Sequence, residues 1–471
     1  MTASQALPAV LDRIDSDLDK SLERLFALLR IQSISTDPAY APQCRAAAEH
    51  VAADLRGLGF ETTVRPTEGH PVVIGKGGNG QSNGHAPRVL FYGHYDVQPV
   101  DPLNLWQTPP FEPRIETLDG GRKIIVARGA CDDKGQAMTF VEACRAFKAV
   151  TGALPLDITM MIEGEEEVGS ESLPGVIKAD LEALRADHAF ACDTGQWDRA
   201  TPSVTISLRG MFHEEIVIRT ADRDLHSGQF GGAAINAIRV LARIVADLHD
   251  KKGRVAIPGF YDGVKDLPKA IKAEWKKLNL TAKKLLGPIG LANPAGEAGR
   301  MVIEQIASRP TCDVNGIFGG YQGSGVKTVI PNEAHAKVSF RLAAGQSPKR
   351  IQKLFRAFVK ARVPKDCKVE FSNTKSTKPA NVAWDSPEVL LARKALTEEW
   401  GKKALLIGAG GSIPIVNDIK KLLGLEPLLV GFALKDDRVH APNEKYDLSS
   451  FHKGMRSWAR ILGAMAERAK A

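Results

Sequence analysis

The sequence predicts an α/β protein: a mostly parallel sheet covered by helices, interrupted by a smaller α+β unit. Short apolar runs alternate with helical stretches over roughly the first 200 residues, as strands buried on both faces do. From about residue 204 the texture changes to alternating strands and two helices, and the first pattern returns after about residue 385. A chain of 471 residues also exceeds one ordinary core, so two domains, or one with a large insertion, are expected. The first domain is placed at residues 1–204 and 385–471, and the insertion at 205–384.

Residues 8–31 read as one amphipathic helix, with Leu11, Ile14, Leu18, Leu22 and Leu25 at three- and four-residue steps. The Gly- and Asn-rich segment 75–84 reads as an exposed loop. "VLFYGHYDV" reads as a strand, "KGQAMTFVEACRAFKAV" as a helix, and "ITMMIEG" and "HAFACDTG" as strands. In the insertion, "VTISLRGMFHEEIVIRT" supplies strands and "AAINAIRVLARIVADLH" a helix; "AKVSFRL", a helix near 347–362 and "KVEFSN" follow. The last part returns to helix, to a strand at "EPLLVGFAL" and to a closing helix from about Ser450, which completes the first sheet.

A charged fraction of 25% and a hydrophobic fraction of 44% are those of a globular protein, not of a disordered or coiled-coil chain. No stretch approaches the roughly 20 apolar residues of a membrane helix. The N-terminal segment lacks a basic region followed by an apolar one, so no secretory signal is read and the cytoplasm is expected. Six scattered cysteines without a C-x-x-C pair suit reduced thiols. The net charge of +8 is densest at 265–284, where Leu267, Ile271 and Trp275 mark the inner side of a solvated helix. No nucleic-acid motif accompanies it, so neither nucleic acid nor membrane is an expected partner.

Chemistry concentrates at strand ends. His94 and Asp96 are two apart and share a face of an extended chain. Asp132, the run Glu165–Glu166–Glu167, Asp193 and His440 also sit at the carboxyl end of a predicted strand or in the turn after it, where such sheets bind ligands. Carboxylates crowded into one cleft are costly unless a cation neutralises them. Nitrogen and oxygen donors without thiolate suit zinc, manganese or cobalt, and the surplus of carboxylates points to two ions. Two ions about 3.5–4 Å apart share a bridging water that ionises near neutral pH. One acid must then stay unligated to carry protons, and adjacent glutamates supply both kinds. Competing motifs fail on context. "GQSNG" lacks the strand and helix of a nucleophile elbow, "HEEIV" lacks the second His of a zincin helix, and "GAGGSI" lacks the last Gly of a dinucleotide-binding turn.

In these segments the chain resembles the M20 metallopeptidase family. "GHYDVQP", "RGACDDKG", "IEGEEEVGS", "DLHSGQFGG", "KTVIP", "SFRL", "GGSIP" and "VHAPNE" occur in family order, and the wording is most similar to the dipeptidase and carnosinase branch. The resemblance implies a phosphorylase/hydrolase-like catalytic domain with an inserted ferredoxin-like lid that also dimerises the protein. It implies two divalent ions per subunit, Zn²⁺ or Mn²⁺ with Co²⁺ possible: His94 and Asp193 on one, Glu167 and His440 on the other, Asp132 bridging both. It further implies Glu166 as general base, Asp96 as the partner that aims His94, and a cis peptide after Asp132. His226 of "DLHSG" is implied as oxyanion donor, reaching the other subunit's site in dimeric members. Thr328, Arg341 and Ser412 are implied to hold the substrate's carboxylate. The implied reaction is hydrolysis of a dipeptide or short peptide. The alternatives are removal of an acyl group from N-acyl amino acids and, more remotely, a non-catalytic binding protein. One departure stands out: relatives commonly carry Arg-Glu before "GGSIP", where this chain has Gly408 and Ala409.

Overall fold

The computed structural model describes residues 2–78, 87–411 and 413–468. The chain divides into two compact units: Met1–Ile206, Val382–Ile407 and Pro414–Ala471 form the first, and Ser207–Asn381 with Gly408–Ile413 the second. These boundaries fall two to three residues from the expected ones. The exception is 408–413, expected in the first domain, which belongs with the second unit. Backbone packing draws it there: a Cβ on Gly408 would lie 2.6 Å from the Ala307 carbonyl oxygen and 2.7 Å from Ser207 Oγ. A larger side chain at 408 would meet backbone there, which gives the glycine of the Gly408–Ala409 departure a steric reason.

The first unit is built on a sheet whose centre is parallel, in the order Asp157–Glu163, Arg88–His94, His188–Ala191, Pro427–Leu429. Antiparallel strands Val72–Gly77 and Glu61–Arg65 extend it on one side, and Ser203–Leu208 on the other. Helix Lys134–Thr151 is buried on nearly every face, and its buried charges are partnered: Glu142 by Arg24 and Arg145, Lys134 by the Leu28 and Ile31 carbonyls. It packs among the strand Arg88–His94 and the helices Ala3–Ser16 and Leu448–Arg468. There Phe91 stacks on Phe140 at 3.8 Å, and Trp458 meets both edge-on at 5.9 and 5.2 Å. Such pairs add about 0.5–1.5 kcal/mol each beyond the area they bury. A small antiparallel sheet joins Lys445–Asp447 to Lys123–Val126 and Arg114–Thr117.

Two local expectations are corrected. Residues 8–31 form two helices, Ala3–Ser16 and Leu18–Leu29. The chain breaks at Asp17 (φ −99°, ψ 12°), on whose carboxylate Arg13 and Lys20 converge from either side. Gly75–Gly77 belong to a strand and not to a loop: a Cβ on Gly77 would lie 2.5 Å from Leu154 Cδ1, so glycine here serves close packing. Residues 79–84, including the "GQSNG" motif, lie outside the described residues.

The second unit runs strand, helix, strand, strand, helix, strand: Gly210–Arg219, Ala237–Ala246, Thr311–Gly319, Glu333–Leu342, Pro348–Lys360, Lys368–Thr377. The antiparallel order is Thr311–Gly319, Glu333–Leu342, Gly210–Arg219, Lys368–Thr377, a ferredoxin-like arrangement. Alternate residues point to a core of Phe212, Ile216, Ile218, Ala336, Val338 and Phe340, against Leu241, Ile244, Phe355 and Val359 of the two helices. The basic stretch 265–284 forms short helices, the first of which buries Ile271 and Trp275 and leaves its lysines exposed. All six cysteines are free, and no described helix is long and apolar enough to cross a membrane.

Candidate metal centre

Parallel pairing is what gathers the acidic residues. His94 pairs with Glu163, and Tyr92 with Ala191, so three strands end level with one another. The turns that leave them carry Asp96, Glu166, Glu167 and Asp193 to one rim. Asp132 lies just before helix Lys134–Thr151, and the Asp132–Asp133 peptide is cis. His440 comes from a loop in the left-handed region (φ 62°).

Two clusters of possible ligand atoms result, each within 4.8 Å: His94, Asp132 and Asp193, and Asp132, Glu167 and His440. Asp132 belongs to both, with Oδ1 3.1 Å from His94 Nε2 and Oδ2 3.0 Å from His440 Nε2. Glu167 Oε2 is 3.2 Å from the same His440 nitrogen. His94 is fully buried and His440 about half exposed, so the second cluster is the more accessible of the two.

Electrostatics explains why such a set calls for a cation. Burial, then repulsion from Asp132 and Glu167, pushes the Asp193 carboxyl up to about 7. Burial, reinforced by Asp193, Glu167 and Asp132, pushes Glu166 up to about 9. Burial also raises Asp132, but hydrogen bonds with His440 and His94 outweigh it and hold this carboxyl below its ordinary range. Contacts with Asp132 and Glu167 push His440 up to about 10. Acids this close to protonation at neutrality stay ionised together only beside a positive charge. Imidazole and carboxylate donors in two groups sharing one aspartate fit a pair of divalent ions.

Around these atoms lies a set of orienting contacts. His94 Nδ1 faces Asp96 Oδ1 at 3.3 Å, leaving Nε2 toward the cluster. Asp96 Oδ2 accepts from Ser35 Oγ at 2.6 Å and from the Glu167 N–H at 3.1 Å, and Oδ1 accepts from the Glu166 N–H at 3.3 Å. Asp96 therefore aims the imidazole and pins the turn that carries both glutamates. Gln98 Nε2 donates to Glu167 Oε2 at 2.8 Å.

The most heavily used of these groups escaped the sequence reading. Glu444 is fully buried, and its carboxylate accepts from Arg128 Nη1 (2.8 Å) and from the N–H groups of Gly129 (2.9 Å), Cys131 (3.0 Å) and Asp132 (3.0 Å). It ties the Asp132 loop to the segment that carries His440. No residue pattern announces a carboxylate that binds backbone; its place in "VHAPNE", four residues beyond His440, was the only available signal.

The remaining candidates lie in the second unit. His226 pairs with Val329 in a two-residue ladder, and the Ser227 N–H donates to the Thr328 carbonyl, so His226 and Thr328 are neighbours. His226 Nδ1 accepts from the Gly228 N–H at 2.9 Å, which leaves the exposed Nε2 as a donor in the neutral ring. Arg341 sits on strand Glu333–Leu342 without an ion pair or side-chain hydrogen bond among the described residues. Ser412 lies outside the described residues.

A family model described as peptidase family M20/M25/M40 matches residues 90–464. The Cys-Gly metallodipeptidase dug1 of Schizosaccharomyces pombe is 29% identical over 476 residues, covering 98% of both chains. Among solved structures, the di-peptidase Dug1p of Saccharomyces cerevisiae aligns with a TM-score of 0.80 at 26% identity, over 99% of both chains. Human carnosine dipeptidase 1 aligns with the same score and identity, over 98% of this chain and 99% of its own.

Proposed function

The chain belongs to peptidase family M20/M25/M40, and from that premise we propose that it is a dipeptidase whose first unit holds two divalent ions. The observation that carries this reading is the pair of His-carboxylate clusters sharing Asp132. His94 and Asp193 would hold one ion, Glu167 and His440 the other, and Asp132 both, with zinc or manganese the ions of choice and cobalt a substitute. When bound, the ions supply Lewis acidity toward the scissile carbonyl and acidify water at the site.

The chain's own groups do the rest. Glu166, half-buried beside the cluster but outside both ligand sets, takes a proton from the attacking water and delivers it to the leaving amide nitrogen. His226 directs its Nε2–H at the oxygen that gains charge as the carbonyl is attacked. Arg341 and Thr328, with Ser412, grip the substrate's free carboxylate, a task suited to the planar fork of an arginine. We place the enzyme in the cytoplasm as a homodimer formed through the second unit, with His226 serving the partner's centre. Dipeptides rank ahead of N-acyl amino acids because the relatives above are named for dipeptide cleavage.

A panel of dipeptides and acetyl or succinyl amino acids, assayed with Mn²⁺, Zn²⁺ or Co²⁺ after chelation, tests the reading. Dipeptide turnover that returns only with metal is expected; faster cleavage of the acyl amino acids would replace dipeptidase by deacylase.

A further inference from the structure

Arg209 is a poorly satisfied cation of the second unit, with no ion pair among the described residues. It stands where strand Ser203–Leu208 ends and strand Gly210–Arg219 begins. Its Nε is buried without a hydrogen-bond partner among the described residues. Its Nη1 reaches the carbonyls of Gln305 and Arg309 only at 3.4 Å each. An arginine cannot shed its proton, so donors left buried and unused are costly. The segment opposite brings no acid: the Arg209 N–H donates to the Ala409 carbonyl at 3.2 Å, and Ala409 carries no charge. At Gly410 a Cβ would come within 3.0 Å of Arg209 Nη2 and 3.2 Å of the Ile306 carbonyl, so glycine leaves the guanidinium its space.

Two further features point outward from this arginine. Met211 pairs with Arg341 and Gly210 with Leu342, so Arg209 stands just before the end of the ladder that carries Arg341. Burial lowers Arg209 to about 10, and repulsion from Arg341 adds to it; Asp313, which accepts from Thr311 Oγ1, offsets this only in part. Arg209 also lines a cavity of about 410 Å³ with Lys265, Ser207, Ser308 and Asn381. The one acid in that lining, Asp266, is taken up by Arg300 at 2.8 Å and Arg309 at 3.6 Å. Lys265 has no ion pair among the described residues. The cavity therefore presents two uncompensated cations with hydroxyl and amide groups around them, the composition of a carboxylate pocket.

We propose that Arg209, with Lys265, binds a second carboxylate next to the one held by Arg341, so that the enzyme prefers dipeptides whose C-terminal residue is Glu or Asp. This rests on the dipeptidase reading and on Arg341 as the main-chain carboxylate grip. The carbonyls of Gln305 and Arg309, each 3.4 Å from Nη1, flank the guanidinium at that pocket.

The test compares Ala-Glu with Ala-Gln, which differ in charge and scarcely in shape. In Mn²⁺-loaded enzyme, kcat/KM for Ala-Glu should exceed that for Ala-Gln by about tenfold or more, mainly through KM. That ratio should fall toward one in Arg209→Gln. It should fall below one in Ala409→Glu, which brings a carboxylate to the guanidinium by a route that leaves Arg209 intact. Equal kcat/KM for the two dipeptides in the unaltered enzyme, or a ratio that survives both substitutions, overturns the pocket. Calorimetric binding of the two dipeptides to metal-loaded Glu166→Gln separates the two layers. Tighter binding of Ala-Glu without turnover by the parent enzyme sinks the dipeptidase reading and keeps the pocket, whereas turnover with equal affinities does the reverse.

Discussion

The proposed metal-centre residues of the first unit and the proposed substrate-recognition residues of the second are furnished in opposite ways. In the first, the orienting groups are saturated: Asp96 takes up Ser35 Oγ and two backbone N–H groups besides facing His94, and Glu444 takes up four donors. In the second, Arg341 has no partner among the described residues and Arg209 keeps an Nε without one. The contrast teaches a division of labour. Groups that act on the reacting bond are fixed before substrate arrives, because late reorganisation would add to the barrier. Groups that recognise substrate are left wanting a partner that substrate supplies.

The strongest way to break that contrast is Glu166→Gln. It should lower kcat by about 10²–10⁴-fold while metal content by atomic absorption stays near two per chain. Normal turnover in that variant would remove the base from the first unit. His226→Ala should cost about 10²–10³ in kcat, again with metal retained. A change confined to KM would make His226 a recognition residue and sharpen the divide between the units. Glu444→Gln should weaken metal affinity by about 10–100-fold, read by competition with a fluorescent chelator, because an amide meets three backbone N–H groups with only one acceptor. Unchanged affinity would show that the Asp132 loop holds its shape without that tie.

The smallest effect concerns stability. Burial pushes the Glu163 carboxyl up to about 8, although Tyr92 and Ser170 donate to it. Between its ordinary value near 4.5 and about 8, the folded chain holds a proton that the unfolded chain has lost, so stability falls as pH rises through that window. Glu163→Gln mimics the protonated acid and should flatten that decline in Tm measured from pH 4.5 to 8. An unaltered slope would assign the pH dependence to other groups.

The ligand candidates were legible because each sits in a polar cluster directly after an apolar strand, where side-chain type and position both speak. His94, Asp132, Glu167, Asp193 and His440 are all of this kind. Glu444 and Gln98 were not, since their partners are backbone N–H groups or another ligand's oxygen and impose no spacing on the sequence. The parallel centre of the sheet followed from apolar runs alternating with helices. The break at Asp17 did not, because the apolar period continues across it. Nor did the assignment of 408–413 to the second unit, which depends on carbonyls of Ile306 and Ala307 about 100 residues away in the chain.

The Glu444 tie has a consequence for biosynthesis. Asp132 leaves the ribosome some 300 residues before His440 and Glu444, so a growing polypeptide displays the aspartate shared by the two clusters long before Glu444 ties its loop or His440 completes its second cluster. On the proposed two-ion reading, a polypeptide that has not yet been translated through His440 lacks a donor of the second cluster, so hydrolytic power would arrive only late in synthesis.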